Sequence, residues 1–263
     1  MPTNPGTTGL IEYYAHDEAS GTRAGSHAGI TLTDNNTVGS TTGVQSNASV
    51  FVAANSEYLS TADTTINAGT GDLTVAGWVY PSSSLTALTS GGRVWQRRGT
   101  GAVGTVVGFS FCLYRPGAGS DVAITNTIID DGAGKSINAT ATSDVVGTNN
   151  SWIFIVYEWD AANDTLKVWA DNTLIQTYTG STGIGSISNN SRAFTFGASD
   201  DTPTQYFDGR IDEVSIWSRK LSADEQSFLY NGGAGVTYAT VAATGAPLLM
   251  QMMRLSHTGG FLS

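Results

Sequence analysis

The sequence predicts an all-β fold, an antiparallel β-sandwich closed by one short C-terminal helix. Short runs alternate apolar and polar residues with a period of two, as half-buried strands do. Clusters of Gly, Ser, Thr and Asn separate these runs, and the 32 glycines among 263 residues suit many tight turns. The one clear helix signal follows directly on the most regular strand near the C-terminal end. With 40% hydrophobic and 13% charged residues, the chain can bury one substantial core.

In chain order, residues 10–15 read as a first strand and residues 23–49 as loops with short strands. Residues 51–60 hold a further strand. Over residues 72–81, Leu73, Val75 and Val79 share one face and Thr74, Ala76, Trp78 and Tyr80 the other, until Pro81 ends the ladder. Residues 93–98, 108–114 and 122–129 are further strands. Residues 152–159 are β-branched or aromatic almost throughout, the composition of a central strand. A turn at 160–164 returns the chain through 165–170, and Asp171-Asn172 supplies the positive-φ pair of a hairpin before 173–179. Residues 193–197 precede the last strand. There Ile211, Glu213, Ser215 and Trp217 alternate with Asp212, Val214 and Ile216, and the second set is expected on the core face. Ser222 then caps a helix with Glu225 three residues on, and Asn231-Gly232 suits its left-handed end.

The order Phe207-Asp208-Gly209, Ile211-Asp212-Glu213-Val214, Trp217, then Leu221-Ser222 and Glu225 resembles the C-terminal end of laminin-G-like, concanavalin A-like lectin/glucanase jelly-roll domains. Asp17 to Thr22, after the first strand, resembles that family's first loop. Ala24-Gly25-Ser26-His27 then departs from it, where an acidic residue is common. The resemblance implies a jelly roll over residues 8–234, with an N-terminal arm at 1–7. Residues 235–263 form an apolar tail that either folds back or docks to a partner. Its segment 247–263 carries three of the four methionines.

A net charge of −10 argues against a nucleic-acid partner, since phosphate contacts need clustered Lys and Arg. No window approaches the apolar length of a membrane helix, and the N-terminus lacks the pattern of a secretory signal. The lone Cys112 reads as a core thiol. The histidines His16, His27 and His257 show no metal-ligand spacing, and no nucleophile elbow occurs.

Two kinds of site are expected. A carboxylate on a core face is costly unless it is paired or bound to a cation. Arg210 is one partner for Asp212, and the family resemblance implies another, Ca²⁺ held by Asp212 with Asp17 or Glu18 from the first loop. Trp95 and Tyr206, near loop ends, are the expected ligand-binding aromatics, whereas Trp78, Trp152 and Trp217 read as core. Glu158 and Asp160 share a strand face, as a glycosidase pair would, but the third acid of such strands is missing and a turn begins at once.

No catalytic residues are therefore expected, and the family resemblance implies binding to carbohydrate or protein. The narrower expectation is a bacteriophage decoration or fibre protein on the virion surface, contacting a host glycan and joined to capsid proteins by its tail, as a homo-oligomer in some assemblies. A secreted bacterial carbohydrate-binding or adhesin module is the alternative, and a glucanase or polysaccharide lyase the next.

Overall fold

A computed structural model describes residues 2–82, 92–99, 101–114, 122–199 and 205–243. Its strands begin with β1 (Leu10–Tyr14), β2 (Thr33–Asn35), β3 (Gly39–Thr42), β4 (Asn47–Phe51) and β5 (Tyr58–Thr61). The middle of the chain supplies β6 (Leu73–Pro81), β7 (Gly92–Arg98), β8 (Gly108–Tyr114), β9 (Val122–Asp130) and β10 (Ser136–Thr148). The last are β11 (Ile153–Asp160), β12 (Thr165–Ala170), β13 (Thr173–Thr179), β14 (Phe194–Phe196) and β15 (Gly209–Trp217). Two short helices follow, α1 (Ala223–Tyr230) and α2 (Tyr238–Ala242).

Among the described residues these strands make two sheets. The eight-stranded sheet runs β13-β12-β11-β6-β15-β4-β3 with β1 paired to β15, and the seven-stranded sheet runs β10-β9-β8-β7-β14-β5-β2. Every pairing is antiparallel. Leu73, Val75, Val79, Ile155, Tyr157, Val214 and Ile216 from the first sheet meet Trp95, Phe109, Phe111, Leu113 and Phe196 from the second. This sandwich core lies between the sheets, as the period-two pattern requires.

A second apolar cluster covers the outer face of the eight-stranded sheet. Tyr13, Ala76, Trp78, Phe154, Val156 and Trp217 lie there beneath Phe228 and Leu229 of α1 and beneath Val236 and Val241. Residues 235–243 thus lie back against the sandwich, while residues 247–263 fall outside the described residues. The N-terminal arm joins them: Asn4 Nδ2 donates to the carbonyls of Thr240 (2.9 Å) and Ala243 (3.0 Å).

Local signals act as the sequence predicts. Ser222 Oγ accepts from the Glu225 N–H and Glu225 accepts from the Ser222 N–H, closing the capping box, and Asn231 ends α1 at φ 48°. Asp171 and Asn172 both take positive φ in the β12–β13 turn. Two features differ. Residues 136–148 form a strand that the sequence does not announce, because Thr, Ser, Ala and Gly give it little apolar alternation. The facing of β15 is also corrected. Its register against β6 shifts between Asp212 and Ser215, and Glu213 sits at φ 47°, the mark of a bulge. Ile211, Val214 and Ile216 therefore share the inter-sheet core, and Asp212, paired with Trp78, lies on the outer face.

Candidate functional site

Where the helical cover ends, the outer face of the eight-stranded sheet carries a row of side chains at right angles to the strands. Ile153 pairs with Val79, so Trp152 stands opposite Tyr80 on β6, and their rings meet edge to face at 5.5 Å. Tyr80 pairs with Arg210 on β15, whose guanidinium lies 4.5 Å from the centre of the Tyr80 ring. Arg210 in turn pairs with Val50 on β4. All four are half-buried, unlike Trp78 and Phe154 two residues along, which are sealed under Tyr230. A solvent-facing strip of two aromatic rings and a cation results. On the same face Lys167 lies over the Trp169 ring at 5.8 Å, opposite the exposed Leu174.

The acids gather elsewhere. Asp212 Oδ2 accepts from the Val44 and Gln45 N–H groups (2.7 and 3.1 Å), while its buried Oδ1 has no hydrogen-bond partner. Burial, with Asp17 nearby, pushes its carboxyl up to about 7. Glu213 is also buried, keeps Oε2 unpartnered and is pushed up to about 9 by burial, Asp212 and Asp17. Asp17 Oδ1 accepts from the Asn47 N–H at 2.9 Å. Arg210 does not pair with Asp212, because it lies on Tyr80. Two buried carboxylate oxygens without donors are what a hard cation satisfies. Among the described residues no group of three or more His, Cys, Asp or Glu side chains is arranged to hold a metal. An ion here would need main-chain carbonyls and water as well.

Glu158 and Asp160 point to the outer face near α1, and both are buried. Asp160 pairs with Lys220 at 2.6 Å and accepts from Asn163 at 2.9 Å. Burial works to raise its carboxyl, but these bonds outweigh it and hold it below the usual range. Burial pushes Glu158 up to about 7. The strand ends at Asp160, where the sequence places the turn.

The two expected ligand aromatics part company. Trp95 is corrected: it is fully buried between the sheets and stacked on Phe111 at 4.7 Å, so its ring offers no face to a ligand. A register shift between Arg93 and Trp95 turns it inward. Tyr206 is half-exposed and packs on Tyr58 at 6.4 Å, away from the Trp152 row. Sequence reading places Trp152 in the core, offers Arg210 to Asp212 and gives Tyr80 no ligand role. Only the register of three strands distant in the chain brings them together.

The family model for the concanavalin A-like lectin/glucanases superfamily matches residues 53–225. The chain belongs to this superfamily. No curated protein matches its sequence. Among solved structures, the binding domain of botulinum neurotoxin serotype D is similar at a TM-score of 0.61 and 14% identity, over 87% of this chain and 53% of that one. The binding domain of Paraclostridial Mosquitocidal Protein 1 gives 0.59 and 15%, over 86% and 53%. The chain thus spans about half the length of these toxin binding domains. Domain 4 of AbnA, a GH43 extracellular arabinanase from Geobacillus stearothermophilus, in complex with arabinotriose, gives 0.55 and 15%, over 86% and 98%. At these identities the likeness establishes the jelly-roll fold. Among the described residues no helix is long and apolar enough to cross a membrane.

Proposed function

We propose that this superfamily domain is a non-catalytic carbohydrate-binding module, working at an extracellular or particle surface, in which Trp152, braced edge to face by Tyr80, forms the stacking platform. The observation that carries this reading is the half-exposed aromatic row just beyond the part of the sheet face that the helices cover. An aromatic ring left open to water costs hydration free energy, and the apolar face of a pyranose relieves it. A domain of the same fold in complex with arabinotriose is a precedent for the class of ligand. The test is a glycan array read with the native domain and Trp152→Ala, with glycan hydrolysis assayed alongside. Binding that falls in the variant, without turnover, is expected. Turnover of a bound glycan, or binding indifferent to Trp152, overturns the proposal.

A narrower reading sets the module on a virus particle, as a bacteriophage decoration or fibre protein. The meeting of Asn4 with Thr240 and Ala243 gathers both ends of the described chain at one place, which suits a single attachment to a particle or to any other anchor. Sedimentation and imaging of native particles test it: symmetric particle-bound copies support it and a free monomer sinks it. Calcium at Asp212 with Asp17, completed by main-chain carbonyls and water, is proposed on the unpartnered Asp212 Oδ1. A chelator that leaves thermal unfolding unchanged removes it, because an ion bound only to the folded state raises stability.

A further inference from the structure

We infer that the Trp152–Tyr80–Arg210 row selects a sugar carrying a carboxylate, such as a uronic or sialic acid. This rests on the carbohydrate-binding reading above and adds to it the ligand's charge and the residue that reads it.

The argument turns on Arg210. Five other arginines of the described fold each donate to a side chain or a main-chain carbonyl. Arg23 donates to the carbonyls of Gly21, Val38 and Gly39 and to Ser49 Oγ. Arg93 bonds Gln205 and Ser110, Arg97 bonds the carbonyls of Asn189 and Asp63, Arg98 pairs with Asp130, and Arg219 pairs with Glu225. Arg210 alone of these six is held only by its contact with an aromatic ring and has no hydrogen bond or ion pair among the described residues. In a chain with 22 acidic and 12 basic side chains, a half-buried guanidinium with no carboxylate on it among the described residues is a donor set kept open.

Contact with the Tyr80 ring restrains the guanidinium, and no described residue takes up its N–H donors. Those donors form a planar fork matched to the two oxygens of a carboxylate, and the restraint lessens the rotational freedom that would otherwise be lost on binding. Arg210 and Trp152 are two strands apart, a separation of about 10 Å. A sugar stacked at Trp152 thus brings an acidic group, on itself or on its neighbour, to Arg210. The charge supplies discrimination and the rings supply the sequence-tolerant share of the affinity.

The test is calorimetric titration of the full chain with matched pairs of oligosaccharides: galacturonate, glucuronate and sialyl oligomers, each against its carboxyl-reduced counterpart. The expected result is binding of one or more acidic members at least about tenfold tighter than the neutral partner, as a charge-assisted bidentate contact supplies. The preference should shrink as salt rises from about 0.05 to about 0.5 M. Arg210→Gln should abolish the preference while leaving the weaker binding of the neutral partner. Arg210→Lys, which keeps the charge and loses the fork, should retain only part of it, and Trp152→Ala should weaken both members. Thermal unfolding of each variant confirms the fold. Equal affinity for both members of every pair, or a preference that survives Arg210→Gln, overturns the inference and leaves the carbohydrate-binding reading standing. No binding to any glycan, acidic or neutral, overturns both.

Discussion

Replacing Glu12 should loosen the first third of the sandwich. Glu12 is completely buried on β1, and its carboxylate gathers main-chain donors from the following loop. Oε1 accepts from the N–H groups of Tyr13 (2.9 Å), His27 (2.7 Å) and Ala28 (3.1 Å), and Oε2 from that of Ile30 (2.7 Å). A Cβ at Gly25 would overlap the carboxylate, so the loop wraps it without room to spare. A buried donor left unmet costs about 1–3 kcal/mol, and water entering the vacated space recovers part of that. Glu12→Ala, which strands all four, should therefore cost on the order of 4 kcal/mol. Glu12→Gln keeps one acceptor oxygen but turns an amide N–H₂ toward the Ile30 N–H, and should cost about 2 kcal/mol. For a domain of this size each kcal/mol lowers the melting temperature by about 2–4 °C. Urea unfolding reads the loss as a lower midpoint at unchanged slope, and amide exchange at His27, Ala28 and Ile30 should speed up in both variants. A Glu12→Ala protein within about 0.5 kcal/mol of the native one would refute the view that this carboxylate organises the loop.

Trp95→Ala should cost about 3–5 kcal/mol as a core truncation, whereas Trp95→Phe should cost less and leave glycan binding intact; binding lost with stability unchanged would show that Trp95 faces ligand after all. Asp212 and Glu213, raised chiefly by burial to about 7 and about 9, hold protons in the folded state that unfolded carboxylates release near pH 4. In chelator, stability should thus be full below about pH 4 and fall steadily toward pH 9, Asp212 alone contributing about 4 kcal/mol. Urea midpoints that rise over this range contradict the burial of these acids, and calcium that flattens the fall supports the proposed ion. Asn4→Ala removes two bonds to the last described turn and should cost about 1 kcal/mol, with faster exchange in α2; unchanged exchange there would mean that the arm does not hold the helix.

What the sequence discloses is what neighbours in the chain decide. The Ser222 and Glu225 box closes over three residues, and the Asp171-Asn172 turn over two, so composition alone locates them. The facing of Leu73, Val75 and Val79 likewise follows from local alternation. Asp212 is misassigned because one extra residue at the Glu213 bulge resets that alternation, and nothing in Ile211-Asp212-Glu213-Val214 marks the place. Trp95 is misassigned because nearness to a loop in sequence says little about which way a ring turns across a register shift. Trp152, Tyr80 and Arg210, like Glu12 and its loop, become a unit only through long-range pairing, which no window of residues contains.

The bonds from Asn4 to Thr240 and Ala243 make the described fold nearly a closed circle, with entry and exit side by side. A chain of that shape can be spliced into a surface loop of another protein with little strain on host or guest, since the host's two loop ends need not be pulled apart. It can also be reopened elsewhere: joining residues 4 and 243 by a short linker and cutting at an exposed turn such as Asp171-Asn172 should yield a permuted domain with the same two sheets.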